Sequence, residues 1–178
     1  VDYKATTTAE TILNITNHSY FNLDGKRTIM EHTLHANATD YFTHDAKQLN
    51  DTRVKVTAGS PFYLTNGKKL RDIILHPLVN KPPAMGFDHL LVIDGPLVVK
   101  TTDLTMEVTS TYPAVQMYST NFPSSFPLID GQKVNLYHGL AIEPVDIVSK
   151  HDNTYKNLRI TKDVPYERTI RYAIKLHN

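Results

Sequence analysis

Short alternating segments, each cut by Gly, Pro or Asn/Asp, constrain this chain more than any other feature. From Leu104 to Thr111 the apolar residues Leu104, Met106 and Val108 fall on every second position, the period of a strand with one buried face. Val115 to Tyr118, Leu136 to Glu143 and Tyr166 to Leu176 read as further strands. His89 to Asp94 and Leu97 to Lys100 flank Gly95-Pro96 as a hairpin would, and Asp24-Gly25 is a favoured hairpin dipeptide, so Thr28 to Ala38 is expected to pair back on a long strand or two within Thr6 to Asn22. Asp40 to Leu49 reads as irregular. One short helix is expected in Leu70 to Val79, from the spacing of Leu70, Ile73 and Ile74 and the stop at Pro77. Many strands and almost no helix predict an all-β fold, an antiparallel β-sandwich.

Within the first of these segments lies an unusual row. Read with period two, Asn14 to Leu23 puts Leu13, Ile15, Phe21 and Leu23 on one face and Asn14, Thr16, His18, Tyr20 and Asn22 on the other. A strand that only covers a core can turn any solvated side chain outward. A row of neutral donors and acceptors around one imidazole also suits a polyol. In Tyr137 to Glu143 the pattern is complementary: Leu140 and Ile142 share one face with His138, while Gly139 and Ala141 clear space on the face of Glu143. A carboxylate crowded by sheet is partly desolvated, which raises its pKa and improves it as a base near neutral pH. From spacing alone, the alternatives remain an exposed strand-end Glu and a structural histidine.

Composition removes several classes. Lys plus Arg number 19 and Asp plus Glu 18, a net charge of +1, so nothing points to nucleic acid or an anionic membrane. There are no cysteines, hence no disulfides, thiolate nucleophiles or Cys-based zinc sites. No apolar run reaches the roughly 20 residues of a membrane helix, and the N-terminus lacks a signal-peptide core. Asn14, Asn17, Asn37 and Asn50 head Asn-X-Ser/Thr triplets, which matter only in a secreted chain; a cytoplasmic location is expected. The nine histidines are dispersed, with His32 and His35 on opposite sides of a strand, so no metal is expected. Ser19 and Ser119 have no nucleophile-elbow context.

Four stretches, in order, carry a resemblance: Thr16-Asn17-His18-Ser19-Tyr20-Phe21-Asn22-Leu23; Gly86-Phe87-Asp88-His89; Pro113-Ala114-Val115-Gln116-Met117-Tyr118 with Asn121-Phe122; and Gly139-Leu140-Ala141-Ile142-Glu143. Together they resemble the aldose 1-epimerase (galactose mutarotase) family. The resemblance implies a galactose mutarotase-like sandwich whose concave face holds the sugar, with residues 1–178 as the C-terminal portion of the domain and an upstream segment completing it. It also implies interconversion of the α and β anomers of D-galactose and D-glucose without a cofactor. By position it makes Glu143 the proton acceptor and His18 the proton donor, with Asp88 and Gln116 binding substrate and Tyr20 lining the groove. In some fungi such a domain follows a UDP-galactose 4-epimerase domain, and a chain beginning inside a domain could come from such a fusion. Two alternatives stay open: a non-catalytic carbohydrate-binding module or inactive truncated domain, and a hexose-6-phosphate 1-epimerase.

Two departures stand out. Tyr118-Ser119-Thr120-Asn121 has Thr where the family commonly has Gly, and Pro144-Val145-Asp146 follows Glu143 where it commonly has Thr-Gln. The first predicts a backbone conformation costly for Thr; the second puts the exit of the Glu143 strand in question.

Overall fold

A computed structural model describes residues 1–45, 47, 49–123, 125, 127–148 and 155–177. Among the described residues the strands are β1 (Asp2–Ala5), β2 (Thr11–Ile12), β3 (Tyr20–Phe21), β4 (Thr33–His44), β5 (Asn50–Lys55), β6 (Lys68–Lys69), β7 (Asp88–Lys100), β8 (Leu104–Ser110), β9 (Ala114–Tyr118), β10 (Leu140–Val145), β11 (Arg159–Ile160) and β12 (Tyr166–Leu176), with one α-helix, α1 (Leu70–Ile74). Ten strands join one antiparallel sheet in the order β1-β12-β8-β7-β9-β10-β3, while β4 lies on the other edge of β7 and carries β5 and β6; β11 and β2 form a separate pair.

The branch point is β7. Its first half, Asp88 to Val92, pairs with β9 and its second, Leu97 to Lys100, with β8, while β4 runs along its opposite edge from Leu91 to Lys100. Gly95-Pro96 is therefore a bend inside one strand rather than a hairpin. Gly95 holds φ +82 and the pairing with β4 shifts register beside it, between His35 and Asn37, as a bulge does. The first segment also differs from its reading. Residues 6–22 contribute only β2 and β3, and the segment between them is anchored through side-chain hydrogen bonds rather than a ladder. Asn14 brackets the backbone of Asp146, accepting its N–H at 3.1 Å and donating to its carbonyl at 3.1 Å, and the Tyr166 hydroxyl accepts the Ile15 N–H at 3.1 Å. Consequently β4 does not return on β3, and it runs on to His44 through residues read as irregular.

The main core sets every orientation that follows. Val115 and Met117 of β9, Leu140 and Ile142 of β10, and Leu91 of β7 are buried in it together with Phe62, Phe87 and the α1 residues Leu70, Ile73 and Ile74. Each such aliphatic or aromatic side chain stabilises by about 1.5–3 kcal/mol when fully buried. Since strand side chains alternate, burying these positions forces Asp88, Leu90, Gln116, Tyr118, Ala141 and Glu143 onto the opposite face. A smaller apolar cluster of Phe42, Leu90 and Ala114 closes one end of that face.

The unusual Thr120 is accommodated rather than avoided. It holds φ +53, and its hydroxyl donates to the Gly139 carbonyl at 2.8 Å while accepting the Gly139 N–H at 3.2 Å. Those two bonds tether the entrance of β10 and offset the strained backbone. Pro144 leaves β10 intact: it pairs in register with Val115, and β3 covers the other edge only at Leu140 and Ala141, so the proline sits where one edge is free of a ladder.

Candidate active site

Strand register assembles the site from four neighbouring strands. One rung places Asp88, Tyr118, Ala141 and Tyr20 side by side; the next places Leu90, Gln116 and Glu143. All point to the same face. His18 stands two residues ahead of β3 and reaches back, so that its Nε2 lies 3.3 Å from Oε1 of Glu143. The structure thus brings all five sequence-predicted residues, His18, Tyr20, Asp88, Gln116 and Glu143, to one surface.

Small side chains make this possible. Ala141, fully buried on the rung between Tyr20 and Tyr118, forms a low floor beneath them, and a Cβ added at Gly139 would come within 3.0 Å of the Tyr20 Cβ. Around that floor stand three rings, with centroids 5.0 Å apart for His18 and Tyr20, 6.5 Å for His18 and Tyr118, and 6.2 Å for Tyr20 and Tyr118. The Tyr118 hydroxyl accepts the Phe122 N–H at 3.1 Å, which fixes its ring. Sequence reasoning does not single out Tyr118, although its parity with Gln116 carries the signal. It does not reach His44 either, whose imidazole is close enough for its charge to act on Asp88; that proximity arises from pairing between distant segments.

The electrostatics separate the two carboxylates from ordinary surface acids. Glu143 has a side chain only 12% exposed, against 54% for His18. Burial raises its pKa and the Asp88 charge raises it further, while His18 opposes both. Burial also raises Asp88, opposed by His44, by His18 and by a hydrogen bond from Gln116. That bond runs from Gln116 Nε2 to Asp88 Oδ1 at 2.6 Å. It fixes both side chains and leaves Asp88 Oδ2 and Gln116 Oε1 as directed acceptors.

Residues 1–163 match the family profile described as Aldose 1-epimerase. The chain belongs to the aldose 1-epimerase family. Its similarity extends to the aldose 1-epimerase of Haemophilus influenzae, 28% identical over 153 residues that cover 80% of this chain and 44% of that protein. Human galactose mutarotase is 31% identical over 136 residues, covering 68% of this chain and 37% of the relative. This aldose 1-epimerase family chain therefore spans less than half the length of these curated relatives. Among solved structures, galactose 1-epimerase from Lactobacillus acidophilus superposes with a TM-score of 0.85 at 22% identity, over 99% of this chain and 53% of that one. A GalM/aldose epimerase homologue from C. elegans gives 0.84 at 23% identity, over 99% and 55%. The fold is the antiparallel all-β fold of these neighbours.

Proposed function

We propose that this chain carries the proton-transfer site of an aldose 1-epimerase acting on D-galactose and D-glucose. Mutarotation opens a pyranose ring and recloses it on the other face of C1. The C1 hydroxyl must lose a proton and the ring oxygen must gain one. Both oxygens are bonded to the same carbon, so the base and the acid must stand close together. The single observation that carries the reading is the 3.3 Å approach of His18 Nε2 to Glu143 Oε1 on the face that also bears the Asp88–Gln116 pair. In this reading Glu143 takes the proton from the C1 hydroxyl, and its raised pKa suits it to hold that proton and return it. His18 protonates the ring oxygen as the C1–O5 bond breaks and takes the proton back on closure. Asp88 and Gln116 accept from sugar hydroxyls, and the Tyr20 and Tyr118 rings flank the sugar. The chemistry calls on no cofactor.

The same reading makes residues 1–178 the C-terminal portion of a larger sandwich, with an upstream segment supplying the facing wall. The shares of its relatives that the chain covers support this. So do the half-exposed Ile12 and Ile174 and the largely exposed Leu176, apolar side chains that another segment would cover. The direct test is polarimetry of freshly dissolved α-D-galactose with the chain, with Glu143→Gln and with His18→Asn. Acceleration by the parent that both variants lose supports the assignment. Tight galactose binding without acceleration, by the folded parent and by a chain extended upstream, would replace it with a carbohydrate-binding module.

A further inference from the structure

Beside the sugar face, where β4 and β7 meet the loop before Asp88, lies a cavity of about 280 Å³. It is lined by Thr43, His44, Asp45, Phe62, Lys81 and His89, among others. His89 is its floor. The residue is 6% exposed, and its Nδ1 accepts the Asp88 N–H at 3.3 Å, so the neutral ring carries its proton on Nε2. Burial keeps it neutral, driving its pKa down to about 3. Among the described residues that Nε2–H has no hydrogen-bond partner, and it is not one of the fully buried unpartnered atoms, so on a nearly buried ring it is the atom left open for a ligand acceptor.

The other polar groups divide cleanly into used and unused. The Thr43 hydroxyl is committed to β5, donating to the Thr52 carbonyl at 3.4 Å and accepting its N–H at 3.2 Å. Asp45 is the carboxylate of the lining, and its Oδ1 accepts the N–H groups of Lys47 at 2.8 Å and Leu49 at 3.0 Å. Lys81 has no carboxylate partner among the described residues, and its positive charge acts on both His44 and His89. The His44 ring packs on His89 with centroids 4.9 Å apart. What remains free is the N–H of a nearly buried imidazole, an ammonium and the edge of a second imidazole. Unpaired donors converging on a cavity call for an acceptor-rich group.

We propose that this cleft is an oxyanion subsite that takes a carboxylate or phosphate group, with His89 Nε2–H as its fixed donor and Lys81 as its charge. His44 forms the wall shared with Asp88, so the group bound here is either a free anion or the charged substituent of a sugar on the neighbouring face. The proposal stands apart from the epimerase reading, because its readout needs no turnover.

The experiment is an NMR titration of the whole chain, following the imidazole signals of His89, His44 and His18 with inorganic phosphate, with D-galacturonate and with uncharged D-galactose. Phosphate or galacturonate is expected to shift His89 and His44 saturably. Lys81→Ala should weaken that binding about fivefold to tenfold, and Lys81→Arg should retain it. Lys81 is exposed, so its replacement leaves the core untouched. Saturation by phosphate alone identifies a free oxyanion or phosphate ester; saturation by galacturonate with His18 moving in step identifies an acidic sugar. The proposal is overturned if neither anion shifts His89 saturably, if galactose shifts it as strongly, or if Lys81→Ala binds as the parent does.

Discussion

Replacing Glu143 by Gln separates what this carboxylate costs from what it does. The side chain keeps its shape and loses its basicity. General bases contribute about 10²–10⁴-fold to rate. The upper part of that range applies here: with 12% of the side chain exposed, water has little room to stand in as base. A loss of at least about 10³-fold in kcat/KM is expected, or roughly 4 kcal/mol of transition-state stabilisation. Stability should move the other way. Because burial raises the Glu143 pKa in the folded chain, the stabilising contribution of its protonated form is complete below the unfolded carboxylate pKa and is lost as pH rises through the folded value. At pH 7 the ionised carboxylate is a net burden that His18 relieves only in part, so the Gln variant should unfold at the same or higher denaturant concentration than the parent. At pH 4 that difference should vanish. Polarimetry and urea unfolding at the two pH values measure both. A variant that keeps more than about a tenth of the parent rate refutes the base assignment. One that loses more than about 1 kcal/mol at pH 7 shows a carboxylate held by attraction, and the poised-base argument fails.

Two further substitutions probe the scaffold. Gly86 holds φ +152, and an added Cβ would meet the buried Asn121 amide at 2.3 Å. Asn121 is itself fixed by Ser119 at 2.5 Å and by its bond to the Phe87 carbonyl at 3.2 Å. Gly86→Ala should therefore destabilise by about 2–4 kcal/mol in urea unfolding and displace Asp88 two residues on; a loss below about 0.5 kcal/mol would show that the loop relaxes freely. Asp40 is 3% exposed, and hydrogen bonds led by that from Arg53 hold its pKa down at about 2. A depressed carboxylate stabilises above its unfolded pKa and stops doing so as pH falls through its folded one. The parent should lose its stability advantage over Asp40→Asn between about pH 4 and pH 2, and parallel acid-unfolding curves would contradict that.

What the sequence made legible follows the range of the forces involved. Glu143, Ala141, Leu140 and Ile142 lie on the faces that alternation assigns them, because one buried pair in a strand determines its neighbours. α1 forms where the Leu70, Ile73 and Ile74 spacing places it, though it ends at Ile74. Thr120 was readable as a strained position, but not its remedy, since the compensating bonds reach 19 residues away to Gly139. Gly95-Pro96 misleads for a specific reason: a bulge and a hairpin both ask for positive φ, and only the continuity of β4 alongside β7 distinguishes them. The polar row from Asn14 to Asn22 has strand periodicity, yet most of it forms no strand.

That last disagreement bears on the chemistry. A regular strand would hold His18 by the ladder at a fixed height above the sheet. Here the approach to His18 is pinned at Asn14 by the Asp146 backbone, and at Ile15 by the Tyr112 and Tyr166 hydroxyls, themselves 2.7 Å apart. The ladder resumes only at Tyr20. Between those anchors His18 remains 54% exposed, while its partner Glu143 is fixed in β10. The carboxylate sits rigidly in the sheet, and the imidazole arrives on a segment tied at both ends but free of the sheet between them. A base that must meet one hydroxyl benefits from the first arrangement. An acid that must follow the ring oxygen as the sugar opens and turns about its C1–C2 bond benefits from the second.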